Sequence, residues 1–170
     1  MKRIVWCVCL LALLLFGCTP AGNDTAETTE TAAQSQATET TAASTQKGES
    51  QMLRMRIDDT DVQVRWEDNA SVDALTALAA SAPVVIGMSG YGGFEQVGSI
   101  GSELPRNDKQ TTTSAGDIVL YAGDQIVVFY GSNAWAYTRL GKIEGMDGKA
   151  LTALLGQNDV TLTLFAEAAG

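Results

Sequence analysis

From residue 52 onward the chain alternates apolar and polar side chains in short segments that are separated by turn residues. Leu53 and Met55 alternate with arginines, and Val62 and Trp66 belong to a second alternating segment that follows a turn. A period of two predicts β-strands with one buried and one exposed face, here paired as a hairpin. Such one-sided strands are typical of an antiparallel barrel or sandwich, not of a parallel sheet that helices cover on both faces.

The later segments extend this pattern and leave room for two short helices. Strands are predicted at residues 52–57, 62–67, 84–88, 94–100, 117–122, 125–130, 136–143 and 160–164, with a polar loop at 101–114. Ser71 is the predicted N-cap of the first helix, which Pro83 ends, and Asp147 is the predicted N-cap of the second. The order β-β-α-β-β-β-β-β-α-β predicts a mostly β fold, a closed eight-stranded barrel with two short capping helices, in a domain at residues 51–167.

Three short motifs carry a family resemblance. They are Ala-Gly-Asp-Ile at 115–118, Val-Phe-Tyr at 128–130 and Arg-Leu-Gly-Lys-Ile at 139–143. Together with the element order over residues 52–165, they resemble the cyclophilin-type barrel, and more narrowly the small stand-alone cyclophilin-like domains of bacteria. The last motif is similar to the glycine-hydrophobic ending of the seventh cyclophilin strand. The resemblance implies a cyclophilin-like β-barrel.

The N-terminus predicts export followed by lipid attachment. Lys2 and Arg3 precede an apolar run that is too short to span a bilayer and fits the core of a signal peptide. Leu-Phe-Gly-Cys at 15–18 resembles a bacterial lipobox, from which Phe16 departs in size. We expect residues 1–17 to be a lipoprotein signal peptide and Cys18 to carry acyl chains such as palmitate. An ordinary secretory signal with a chance cysteine is the alternative.

Residues 18–50 are predicted to be a disordered tether. They consist almost entirely of Thr, Ala, Glu, Ser and Gln, so they cannot bury enough apolar surface to offset the entropy of ordering. A random coil of about thirty residues reaches roughly 30 Å. Anchor and tether together predict a monomeric domain on the extracytoplasmic side of the cell membrane or outer membrane, with the membrane as a partner through the lipid.

Charge and composition exclude several classes of function. The net charge of −9 makes nucleic acid an unfavourable partner. The chain contains no histidine, which excludes Ser-His-Asp and Cys-His pairs and every histidine-based metal site. Its three cysteines, Cys7, Cys9 and Cys18, all precede the predicted domain. We therefore expect neither a metal nor a cofactor.

Peptidyl-prolyl isomerisation is the activity that the resemblance implies, but its residues do not match. Active cyclophilins carry an arginine in a Phe-x-Arg motif on the strand after the first helix, a Gln-Gly-Gly segment and a histidine. Here residues 84–94 contain no arginine, Gln96 precedes Val97, and the nearest basic residues are Arg106 and Arg139. Without a cation beside the prolyl nitrogen, the twisted amide loses its main electrostatic stabiliser. The sequence therefore favours a domain without this activity.

Aromatic and polar residues that crowd the second half of the chain are the candidate binding site. They are Tyr91, Phe94, Phe129, Tyr130, Asn133, Trp135, Tyr137 and Arg139. Aromatic side chains with a few polar groups are typical of a peptide or small-ligand cleft. The alternative is that alternate aromatics pack in the barrel core while Arg139 makes a surface ion pair.

These observations favour a membrane-anchored, non-catalytic module that binds a peptide or a small ligand. Two alternatives stay open. One is a divergent peptidyl-prolyl cis-trans isomerase that acts on exported proteins, and the other is a structural component of the cell envelope.

Overall fold

A computed structural model describes residues 51–168. The predicted signal peptide, the lipid site at Cys18 and the tether lie outside the described residues. The elements are β1 Gln51–Ile57, β2 Thr60–Trp66, α1 Ala70–Ser81, β3 Val84–Tyr91, β4 Glu95–Ser99, β5 Lys109–Thr112, β6 Asp117–Tyr121, β7 Gln125–Phe129, β8 Ala134–Glu144, α2 Gly148–Leu155 and β9 Val160–Ala168.

Eight of the strands close into an antiparallel barrel, as the sequence predicts. They follow the order β2-β1-β9-β3-β4-β7-β6-β8, and β8 pairs again with β2 to complete the ring. Gly141 lies at this seam, where a Cβ atom would come within 2.8 Å of the Arg65 carbonyl oxygen. A glycine there permits the close approach of β8 to β2 that closure requires.

The ninth strand, β5, was not predicted. Its sequence Lys-Gln-Thr-Thr lies in the segment expected to be a loop, and it pairs only with the first part of β8, outside the ring. No apolar alternation marks β5, because most of its side chains remain exposed. The backbone pairing with Ala134–Tyr137, which no local sequence pattern encodes, is what makes it a strand.

The barrel interior is filled by alternate strand residues. Ile118 and Leu120 from β6 meet Ile126 and Val128 from β7 there, and apolar residues of both helices join the same cluster. A second cluster lies on the opposite, outer face of these strands and contains Val119, Val127, Phe129 and Tyr137. Strands β6 and β7 are therefore buried on both faces.

The first helix begins two residues earlier than predicted, because Asn69 and not Ser71 is its N-cap. The Asn69 Oδ1 atom accepts hydrogen bonds from the backbone N–H groups of Ser71 (3.0 Å) and Val72 (3.1 Å). The hydroxyl of Ser71 instead donates to the carbonyl oxygen of Pro105 at 2.6 Å. The predicted cap of the second helix is confirmed, since Asp147 Oδ1 accepts from the Ala150 N–H at 2.8 Å.

The described segment carries its own closed core. Every strand of the ring, both helices and every member of the interior cluster lie between residues 51 and 168. A segment with a complete core and a closed sheet meets the physical requirement for folding as a unit. Among these residues, no helix has the length and apolar character needed to cross a membrane.

Candidate functional site

The candidate site is an open cavity on the outer face of the barrel, above β4, β7, β6 and the start of β8. Strand register explains which side chains reach it. Glu95 lies opposite Phe129, and Val97 lies opposite Val127, so these four residues share the outer face. Tyr91 on β3 pairs with Glu95 and continues the same row.

The cavity has a volume of about 300 Å³ and an apolar floor with aromatic walls. Val97 and Val127 form the floor. The aromatic residues around it are Tyr91, Tyr121, Trp135 and Tyr137, and the polar residues are Glu95, Gln125 and Asn133. An apolar surface with a few polar groups is the usual composition of a small-ligand site, and this volume is at the small end of the range for such sites.

Tyr137 is the buried member of the aromatic wall. Its ring packs edge-on against Phe129, with ring centroids 5.8 Å apart, and against Tyr121 at 6.1 Å. Its hydroxyl accepts a hydrogen bond from Asn133 Nδ2 at 3.0 Å. Burial, and then the nearby charge of Glu95, raise the pKa of the Tyr137 hydroxyl.

Asn133 is fixed by Thr113 on the loop between β5 and β6. The Thr113 hydroxyl accepts from the Asn133 backbone N–H at 2.9 Å and donates to its carbonyl oxygen at 3.0 Å. The Thr113 backbone N–H donates to the same carbonyl oxygen at 2.8 Å. These bonds hold the polar end of the cavity through the Asn133 backbone. The Asn133 side chain donates to Tyr137 through Nδ2 and accepts from the Ala134 N–H through Oδ1 at 2.8 Å.

Glu95 is a buried carboxylate at the edge of the cavity. Only 6% of the residue is exposed, and its Oε2 atom has no hydrogen-bond partner among the described residues. Burial raises the pKa of the Glu95 carboxyl to about 6. An ionised carboxylate in such a place is costly unless a hydrogen bond or a cation compensates its charge.

Four of the residues predicted from sequence line the cavity: Tyr91, Asn133, Trp135 and Tyr137. Tyr91 and Trp135 are its exposed rim, with 67% and 58% of their surface accessible. Phe129 is fully buried and lies beneath the cavity, against Tyr137.

The structure does not bring Phe94, Tyr130 and Arg139 to the cavity wall. Phe94 is partly buried beside the outer cluster, and its carbonyl oxygen accepts from the Tyr130 and Gly131 N–H groups at 2.9 Å each. Tyr130 packs against the interior cluster. The sequence also missed Glu95, Val97, Tyr121, Gln125 and Val127. Their signal is the two-residue period, because Glu95 and Val97 on one strand share a face with Gln125 and Val127 on another.

Arg139 instead neutralises a buried carboxylate away from the cavity. Its Nη2 atom lies 3.1 Å from Asp117 Oδ1, and the Lys142 ammonium lies 2.9 Å from the same oxygen. The Ser114 backbone N–H donates to Asp117 Oδ2 at 2.8 Å. Burial alone would raise the pKa of the Asp117 carboxyl, but the bonds from Lys142 and Ser114 and the charge of Arg139 hold it below its usual value.

Replacing Asp117 by asparagine should therefore destabilise the domain by about 1–2 kcal/mol at pH 7. Because the folded pKa is depressed, the ionised carboxylate stabilises the fold above the unfolded value of 3.8, and this contribution disappears as the pH falls below it. Urea unfolding at pH 7 and pH 3 measures both effects. The exposed Asp61→Asn variant is the matched control and should change little at pH 7. An equal loss for Asp117→Asn at both pH values would contradict this account.

The closed eight-stranded barrel with its two helices is the architecture of a cyclophilin-type domain. Residues 55–164 match the model of the cyclophilin-like family, and the match covers more than half of the chain. The protein belongs to this family. No curated protein matches the chain.

Two solved structures are similar to this chain. McbB in complex with tryptophan has 11% identity and a TM-score of 0.51, over 70% of this chain and 46% of McbB. The hypothetical protein AF2241 from Archaeoglobus fulgidus, a solution structure, has 22% identity and a TM-score of 0.47, over 71% of this chain and 95% of that one. The chain spans less than half of McbB, and at 11% identity the likeness concerns the fold alone.

Proposed function

We propose that this protein is an extracytoplasmic lipoprotein whose cyclophilin-like domain binds a peptide or small ligand in the outer cavity without chemical conversion. The observation that carries the binding role is the cavity with its two exposed rim aromatics, Tyr91 and Trp135. Exposing large aromatic side chains to water around an apolar floor is unfavourable. A ligand that covers them removes this apolar surface from water, which favours binding.

The positions of the arginines support binding over isomerisation. Neither Arg106 nor Arg139 lines the cavity. Arg106 pairs with Asp108 at 3.0 Å, and Arg139 is engaged by Asp117. A guanidinium that is held elsewhere does not stabilise a twisted prolyl amide in this site.

The lipid anchor rests on the sequence. The lipobox at 15–18 and the polar segment that follows it would place the domain outside the membrane on a tether. Replacing Cys18 by serine in the full chain should abolish incorporation of labelled palmitate and release the protein from the membrane fraction. Labelling of the serine variant at the wild-type level would contradict the anchor.

Ligand binding is tested by thermal-shift screening of residues 51–170 against peptides and small metabolites. For a compound that stabilises the domain, Trp135→Ala should weaken binding at least tenfold, because it removes the largest exposed wall of the cavity. Val85→Ala is the control, since Val85 is 65% exposed and does not line the cavity. A domain that no compound stabilises, or a Trp135→Ala variant that binds like the Val85→Ala variant, would refute the proposed site.

A further inference from the structure

The described residues contain two buried carboxylates, Asp117 and Glu95, which differ in their hydrogen-bond and ion-pair partners. Asp117 accepts hydrogen bonds from Ser114 and has two cations, Arg139 and Lys142, within 3.1 Å. Glu95 is comparably buried, yet its Oε2 atom has no partner among residues 51–168. A buried carboxylate without a partner is costly, so its presence on a cavity wall points to a compensating group that arrives from outside.

The described residues offer Glu95 no neutralising cation. None of the ion pairs formed within residues 51–168 includes Glu95, and Arg139 and Lys142 are held by Asp117. Lys109 is the basic residue whose backbone register places it on the same sheet face, opposite Tyr137, but it does not line the cavity. The negative charge at this wall is thus available to a ligand.

The rings around Glu95 suit the same kind of ligand. Tyr91 adjoins Glu95 in the strand register, and Trp135, Tyr121 and Tyr137 form the rest of the aromatic wall. The face of an aromatic ring attracts a cation, and tryptophan attracts it most strongly. A carboxylate in a cavity lined by aromatic rings therefore favours a positively charged group over a neutral or negative one.

We propose that the cavity selects organic cations, with a ligand ammonium group against Glu95 and its apolar body on Val97 and Val127. This inference rests on the proposed function, because it names the ligand class of the same cavity. A ligand of this kind includes an amine with an aromatic or aliphatic substituent and a peptide that presents a lysine side chain or its amino terminus.

The preference for cations should depend on pH through Glu95. The titratable groups that face it are Tyr91 from β3, Tyr121 from β6 and Tyr137 from β8. Strand β7 contributes Gln125 and Phe129, which do not titrate. Lys109 from β5 shares the sheet face. Among residues 51–168, Glu95 is the one carboxyl that lines the cavity, so we assign the change between pH 4.5 and pH 7.5 to it.

Three probes of matched shape test the inference: benzylammonium, neutral benzyl alcohol and anionic benzoate. NMR titration of residues 51–170 at pH 7.5 should give a dissociation constant for benzylammonium at least tenfold below those of the other two. The preference over benzyl alcohol should shrink to less than threefold at pH 4.5 and in the Glu95→Gln variant at pH 7.5. Lys109→Ala removes a cation from the same face without altering the cavity wall, and it should keep the preference.

The outcomes separate this inference from the proposed function. If benzyl alcohol or benzoate binds as tightly as benzylammonium at pH 7.5, or if Glu95→Gln keeps the preference, the cation inference is wrong while the cavity remains a binding site. If no probe binds but a library compound binds through Trp135, the inference is again wrong and the binding function stands. If neither the probes nor the library bind, both fail.

Discussion

Replacing Glu95 by glutamine should stabilise the unliganded domain by about 2 kcal/mol at pH 7.5. Burial raises the folded pKa of this carboxyl from 4.5 to about 6, and each pKa unit corresponds to about 1.4 kcal/mol. Because the pKa of Glu95 is higher in the folded than in the unfolded state, protonation at low pH favours the folded state over the unfolded state. The wild-type domain loses stability as the pH rises from 4.5 through 6. Glutamine carries no charge and avoids that loss.

Urea unfolding of both proteins at pH 7.5 and pH 4 measures the effect. The variant should be more stable at pH 7.5 and nearly equal to the wild type at pH 4, where both side chains are neutral. Glu103→Gln, which neutralises an exposed glutamate outside the cavity, is the matched control and should show no such pH dependence. A Glu95→Gln variant that is less stable than the wild type at pH 7.5 would show that the carboxylate has a partner inside the domain.

Replacing Phe129 by alanine should cost about 3–5 kcal/mol of folding free energy, the largest loss that we expect. Phe129 is fully buried on the outer face of β7 and packs edge-on against Tyr137. Its removal leaves a void under the cavity and withdraws the support of the Tyr137 ring. For a domain with a typical stability of roughly 5–15 kcal/mol, this is a large fraction of the total.

The urea midpoint of Phe129→Ala tests this directly, with Phe165→Ala as the matched control. Phe165 is only partly buried, and the Cζ atom of Arg56 lies 5.6 Å from the centroid of its ring. The Phe165→Ala variant should therefore lose less folding free energy than Phe129→Ala. Phe129→Leu retains most of the apolar volume and should fall between the wild type and Phe129→Ala. Equal losses for the Phe129→Ala and Phe165→Ala variants would mean that the outer cluster contributes no more than the surface.

The barrel was predictable because its signals are local. The alternation of apolar and polar side chains around Leu53 and Met55 indicates the first strand, and Asp147 indicates the start of the second helix. Each signal lies within a few residues of the element that it predicts. Strand β5 could not be predicted, because its polar sequence becomes a strand only through pairing with β8. The cap at Asn69 was missed because Ser71 is an equally good capping residue, and only the tertiary bond to Pro105 decides between them.

The lining of the cavity was predictable only where neighbours in sequence are also neighbours in space. Trp135 and Tyr137 are two residues apart on one strand and share a face, so both reach the cavity. Tyr130 and Arg139 are also close in sequence to these two residues, but neither lines the cavity. Tyr130 packs against the interior cluster, and Arg139 forms an ion pair with Asp117. For Glu95 the sequence offers only the two-residue period that it shares with Val97. Its place beside Phe129 depends on the register of β4 with β7, which the sequence does not specify.

The indole N–H signals of residues 51–170 give the most direct test of the outer cavity as the binding site. This segment has two tryptophans: Trp135 lines the outer cavity, and Trp66 lines a separate depression beside the first helix. During titration with benzylammonium at pH 7.5, the Trp135 signal should move saturably while the Trp66 signal stays in place. Movement of the Trp66 signal with Trp135 unchanged would contradict the outer cavity as the binding site, and no movement of either signal during the titration would contradict binding of an organic cation there.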